Sequence, residues 1–202
     1  MRCLITGFEP FLERSENPSM DVLPLLKNEV VGCEIETLLL PVIFDQVFDD
    51  VKTMIDTFKP DIVIHLGLAE DRDKIALERV AINIKDARGK DNIGNCPIDE
   101  KIVIGGQPAY FSSLPLRKFE AVLRQENIPV YVSNTAGTYV CNNVMYHTLH
   151  YIAQNNLPII AGFIHLPLMK EQAKEDEKAM PLQEIKKAIS LMIQSVCTKA
   201  LN

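Results

Sequence analysis

Apolar positions along this chain fall into two alternating rhythms. Short, nearly unbroken apolar runs read as strands: "RCLIT" at 2–6, "CEIETLLLPV" at 33–42, "DIVIHLG" at 61–67, "PVYVS" at 129–133 and "PIIAGFIHL" at 158–166. Between them, apolar residues recur three or four apart, which predicts helices over 18–28, 44–58, 115–127, 140–154 and 182–201. In 44–58, for example, Val47, Val51, Ile55 and Phe58 form one stripe. "ALERVAINI" at 76–84 predicts an extended segment, and 86–112, with Gly, Asp, Asn and Pro throughout, an irregular one. This alternation predicts an α/β fold with a mainly parallel sheet covered on both faces. No internal repeat or linker interrupts the pattern, so one domain is expected over 1–202.

In such sheets, sites form beyond the carboxyl ends of the strands. If 129–133, 140–154 and 158–166 form one βαβ unit on adjacent strands, Cys141 at the helix start and His165 at the strand end reach the same edge. A helix mouth favours negative charge, so a thiol there is expected to shift toward thiolate and to alkylate first among the five cysteines. Against this stands the plain alternative that Cys141 is a small core residue. His147 and His150 lie six and nine residues beyond Cys141, point away from it, and read as surface or packing residues. His65 and His165 each end an apolar strand, and either suits a general base or a hydrogen-bonded core position. Alternation along 76–84 places Glu78 on a face with Ala76, Val80, Ile82 and Ile84. A carboxylate there needs a partner, either a nearby arginine or a histidine that it would orient.

Charge narrows the classes. With 21 Lys and Arg against 27 Asp and Glu, the formal charge is −6, which argues against nucleic acid or an anionic membrane as partner. No apolar run approaches the length of a membrane span, and the first residues do not read as a signal peptide. The five cysteines are widely spaced and lack a CxxC pair, so neither a zinc site nor a disulfide framework is expected, and a reducing, cytoplasmic setting follows. Neither a Walker-type loop nor a GxGxxG is present, which weighs against a phosphate-using hydrolase or phosphorylase on a similar sheet. A catalytically silent binding module is the other alternative.

Four blocks sharpen the reading: "TGFEPF" ending at Phe11 with "NPS" at 17–19, "ERVAINIKDAR" at 78–88 with "DN" at 91–92, "SNTAGTYVCN" at 133–142, and "GFIHLP" at 162–167. In this order and spacing they resemble the pyroglutamyl peptidase I family of cysteine peptidases over nearly the whole chain. The resemblance implies a three-layer α/β/α sandwich and removal of N-terminal pyroglutamate from peptides, with no metal or cofactor and commonly as a homotetramer. It implies Cys141 as nucleophile, His165 rather than His65 as base, and Glu78 as its orienting acid. Arg88 falls on the family's active-site arginine. Phe8 and Phe11 fall on its aromatic pocket, and Tyr139 and Val140 on further pocket positions. Leu68 takes the position whose backbone is expected to bond the lactam. Two departures bear on pocket tightness: "DARGKDN" puts Gly89 where the family often has isoleucine, and "LAEDR" after Gly67 is more acidic than the usual Gly-rich loop.

Overall fold

Alternate side chains along each central strand enter two different apolar layers, and this alternation organises the molecule. A computed structural model of the chain describes residues 1–11, 15–27, 30–174 and 178–197. In chain order the elements are β1 (Arg2–Phe8), α1 (Pro18–Asp21), α2 (Leu23–Leu26), β2 (Glu34–Leu40), α3 (Asp49–Phe58), β3 (Ile62–Leu68), β4 (Ile75–Glu78) and β5 (Val80–Ile82). There follow β6 (Ala109–Phe111), α4 (Leu116–Gln125), β7 (Val130–Ser133), α5 (Val140–Gln154), β8 (Ile160–Leu166), β9 (Leu168–Met169), β10 (Ala179–Met180) and α6 (Leu182–Cys197).

Six strands form the main sheet in the order β2-β1-β3-β8-β4-β7. Cys3 and Ile5 of β1, Ile62 and Ile64 of β3, and Ile164 of β8 pack with α2, α4 and α6. Leu4, Val63, Ala161 and Phe163, from the opposite face, pack with α3 and α5. The result is a mixed α/β fold with a largely parallel sheet between two helical layers. β3 is buried along its whole length, which is why its sequence shows no polar alternation. By the same period of two, Thr6, His65 and His165 fall on the α3/α5 face.

Several expected elements are resolved differently. The helix expected over 18–28 is two short helices. Asn17 caps the first, its side chain accepting from the Ser19 N–H, and Pro24 lies in the first turn of the second, where its missing N–H costs nothing. The helix of 44–58 begins only at Asp49. Residue 28 and the last residues expected in the final helix, 198–201, lie outside the described residues. The extended run 76–84 breaks at Arg79: β4 belongs to the main sheet, whereas β5 pairs antiparallel with β6 in a separate ribbon. Glu78 therefore does not share one continuous face with Val80 and Ile82.

The assumed βαβ unit is also corrected. β7 and β8 are not neighbours, because β4 lies between them, parallel to β7 and antiparallel to β8. The right-handed crossover rule governs parallel strands and so does not apply to this pair. β7 runs opposite to β8: Tyr131 is level with Ala76 and hence His165, and the strand ends at Ser133, level with Glu78 and hence Phe163, heading away from the carboxyl end of β8. Residues 134–139 then carry the chain to the start of α5.

Close packing at Gly7 ties α1 to this frame. A methyl group there would lie 2.1 Å from the Ser19 carbonyl oxygen, and the next residue, Phe8, donates its N–H to Ser19 Oγ at 3.0 Å. Gly7→Ala is expected to cost ~1–3 kcal/mol of stability through overpacking. Urea unfolding monitored by circular dichroism measures it; an unchanged midpoint would show that α1 is not held against β1 as described.

Candidate active site

The first turn of α5 is anchored by its own asparagines. Asn142 Nδ2 donates to the Ile82 and Ile84 carbonyls at 2.9 and 3.1 Å, and its Oδ1 accepts from the Ile82 N–H at 2.9 Å. Asn143 Nδ2 donates to the Phe44 carbonyl at 2.6 Å. Tyr139, the N-cap, is extended and offers no side-chain hydrogen bond to the helix, so the mouth keeps N–H groups available to an anion. Cys141 is the second helical residue. Its sulfur lies over Gly67 of β3: a methyl at position 67 would come within 3.1 Å of Sγ and 2.6 Å of the Phe163 ring.

Across the pocket, His165 Nδ1 donates to Glu78 Oε1 at 2.7 Å. An ionised carboxylate only accepts, so Nδ1 carries the proton and Nε2 is left free as a base. Arg72 Nη1 donates to the same Oε1 at 2.6 Å. The two partners that alternation along 76–84 left open, arginine or histidine, are thus both present. Glu78 is fully buried. Burial alone would raise its pKa; the hydrogen bond and charge of His165, with the neighbouring Ser133 and the bond from Arg72, outweigh it and hold the carboxyl below its ordinary value.

The remaining histidines sort clearly. His65 is fully buried, its Nδ1 hydrogen-bonded to Thr6 Oγ1 at 2.8 Å and its Nε2 to Thr148 Oγ1 at 2.9 Å. Burial pushes its pKa down to about 3, so it is a neutral core residue with both ring nitrogens occupied. His147 stacks on Phe48, and His150 stacks on Tyr146 and bonds the Tyr110 hydroxyl. Both are packing residues.

The shift toward thiolate expected at the helix mouth is opposed by the thiol's surroundings. Burial, reinforced by the negative charge of Glu78, pushes the Cys141 thiol up to about 12, against the opposing effects of Arg72 and the residue's own N–H. The apolar wall around the sulfur outweighs the helix end. A neutral thiol becomes a strong nucleophile only when a neighbouring base takes its proton.

Cys141 and His165 line one cavity of about 140 Å³ together with Phe8, Phe11, Leu68, Tyr139 and Val140. Five of the six pocket positions expected from the sequence therefore converge on the thiol. The sixth, Arg88, does not: it is exposed and lines an adjoining cavity of about 460 Å³ with Gly89. Phe11 and Tyr139, 6.4 Å apart between ring centres, belong to both cavities and form the wall between them. Arg72 was missed by sequence reasoning, and its only signal was the general need of a buried carboxylate for a cation. Among the described residues, no group of three or more His, Cys, Asp or Glu is placed to hold a metal ion, and no helix is long and apolar enough to cross a membrane.

A family profile described as pyroglutamyl peptidase matches residues 1–199. The pyrrolidone-carboxylate peptidase of Brachyspira hyodysenteriae is 46% identical over 197 residues, covering 96% of this chain and 98% of that protein. Among solved structures, the pyroglutamyl peptidase I of Bacillus amyloliquefaciens superposes with a TM-score of 0.93 at 35% identity, covering 97% of this chain and 94% of its own. The pyrrolidone carboxyl peptidase of Thermococcus litoralis does so with a TM-score of 0.94 at 37% identity, over 98% and 94% of the two chains.

The raised thiol pKa has a direct readout. In the free protein, alkylation of Cys141 by iodoacetamide should quicken about tenfold per pH unit from neutrality upward, with no plateau below about pH 10. At neutral pH Cys33, which its hydrogen bond with Cys3 lowers to about 6, should react before Cys141. Peptide mapping after timed labelling measures both; a plateau for Cys141 already at pH 7 would mean that a thiolate is present at rest.

Proposed function

The chain belongs to the pyroglutamyl peptidase family, and from that premise we propose how its own residues carry the reaction. It is a cysteine-type hydrolase that removes N-terminal pyroglutamate from peptides. The observation that carries the residue assignment is the 2.7 Å bond between Glu78 and His165 beside the pocket that Cys141 lines.

Pyroglutamate is a neutral lactam with no ammonium group, so charge cannot anchor it. A small apolar slot between Phe8, Phe11, Leu68, Tyr139 and Val140 suits a flat, uncharged ring, with backbone groups near Leu68 bonding the lactam. His165 Nε2 takes the Cys141 proton as sulfur attacks the pyroglutamyl carbonyl carbon. The N–H groups at the mouth of α5 hold the oxyanion, and Arg88 swings in from the adjoining cavity to assist. The imidazolium then gives its proton to the departing amine. This leaves a thioester, and His165 activates the water that hydrolyses it to pyroglutamate and free thiol. Glu78 holds the imidazole in the tautomer with Nδ1 protonated and stabilises its charged form.

The assembly and setting form part of the same proposal. One peptidase domain spans 1–202, works without a cofactor in the cytoplasm, where its five free thiols stay reduced, and forms a homotetramer. Of the apolar residues in the 103–111 region, Val103 and Tyr110 pack against the chain's own α3/α5 core, whereas Ile104 and Phe111 are 93% and 72% exposed. Exposed side chains of this size suit a surface covered by a second copy.

Two measurements follow. With a pyroglutamyl-aminocoumarin reporter, Cys141→Ser and His165→Ala are expected to lose at least ~1000-fold in kcat while keeping the fold, and Glu78→Gln to lose less than His165→Ala. Full activity in Cys141→Ser would refute the nucleophile assignment. Sedimentation at micromolar concentration should give a mass well above the 22.7 kDa of one chain, and a fully active monomer would refute the assembly.

A further inference from the structure

We propose that Arg72 is a positioning residue for the reaction: from the β3–β4 connection it fixes the Glu78 carboxylate so that this carboxylate, in turn, fixes His165. The inference rests on the catalytic roles proposed above for Glu78, His165 and Cys141.

Arg72 and His165 converge on one oxygen. Oε1 of Glu78 accepts from Arg72 Nη1 at 2.6 Å and from His165 Nδ1 at 2.7 Å, while the buried Oε2 meets no donor in hydrogen-bond geometry among the described residues. The side chains are 20%, 0% and 7% exposed for Arg72, Glu78 and His165, so the chain of three is largely shielded from water. Charge-assisted hydrogen bonds are strong and directional in such surroundings. With its orientation set by two donors on one oxygen, the carboxyl plane has little freedom to rotate.

Arg72 is itself held. Its N–H bonds the Ala69 carbonyl at 3.1 Å within a turn, and its guanidinium lies over the Tyr131 ring of β7, 6.0 Å from the ring centre. The loop that differs from the usual Gly-rich form, "LAEDR", thus delivers one fixed cation to the back of the site. The charged and titratable groups around this centre are His165 from β8, Cys141 from α5, Asp71 beside Arg72, and Tyr131 from β7. Among them Arg72 is the permanent cation. Its charge opposes the part that Glu78 adds to burial in raising the Cys141 thiol, and its hydrogen bond adds to that of His165 in favouring the ionised form of Glu78.

A merely structural ion pair would affect stability alone; a positioning residue also changes kcat and the pH profile. Removing Arg72 raises the Glu78 pKa, so the carboxylate is lost at higher pH on acidification and the acid limb of kcat/KM moves upward. In Arg72→Gln, kcat should fall roughly 10- to 100-fold, the size expected for one charge-assisted hydrogen bond, with KM within about threefold. Arg72→Lys, which keeps the cation, should recover part of kcat and return the acid limb toward wild type. All values are taken per folded molecule, from thermal melts and active-site titration. A wild-type kcat and pH profile in Arg72→Gln would overturn the proposal, as would a loss accounted for by the unfolded fraction alone. Cys141→Ser is assayed in parallel: if it stays active, the catalytic assignment itself fails, whereas an inactive Cys141→Ser beside a fully active Arg72→Gln refutes only the role of Arg72.

Discussion

One buried carboxylate oxygen holds the site together. Glu78 sits where no water reaches it, and an unpaired charge there would cost several kcal/mol. It is tolerated because Oε1 meets two positive or proton-bearing partners at hydrogen-bond distance. That requirement sets the tautomer of His165, leaves its Nε2 free, and forces β4, β8 and the loop bearing Arg72 into one arrangement. The same negative charge acts on the proposed nucleophile: together with burial, the larger cause, it raises the Cys141 thiol. In the proposed reaction the proton therefore passes to His165 on demand rather than leaving a standing thiolate.

The sheet makes this arrangement possible by reversing direction once. β2, β1, β3 and β8 run one way, while β4 and β7 run the other. The reversal places Ala76 opposite His165 and Glu78 opposite Phe163, so a carboxylate and an imidazole two positions apart in register meet on the α3/α5 face. Gly67, on the neighbouring strand, leaves room for the Cys141 sulfur above Phe163. Each functional side chain thus comes from a different element, and each element is fixed by burial that does not depend on the site.

What was legible in the sequence was what local rhythm encodes. The helix bearing Cys141 spans 140–154 as its apolar spacing indicates, and the four long strands β1, β2, β3 and β8 follow their apolar runs. Strand neighbours were not legible. Periodicity says nothing about which strand lies between two others, and the insertion of β4 between β7 and β8 is decided by long-range pairing. The break at Arg79 was hidden because alternation continues through it, although the chain passes from one sheet to another. The state of the thiol was misjudged for a related reason: the helix end is visible in sequence, but the apolar wall and the Glu78 charge that outweigh it come from distant segments. His65 and His165 looked alike as strand-end histidines. Partners distant in the chain separate them: the hydroxyls of Thr6 and Thr148, 59 and 83 residues from His65, occupy the core histidine, whereas His165 meets Glu78 and the pocket.

The central claim is that sulfur of Cys141 becomes covalently acylated during turnover. An activated pyroglutamyl ester makes thioester hydrolysis slow relative to its formation, so the intermediate accumulates. Acid quenching during steady turnover, followed by intact-mass measurement and peptide mapping, should find one pyroglutamyl group on Cys141, in an amount matching the burst of released alcohol. Turnover without an acyl group on Cys141, or with the group on another residue, would contradict it.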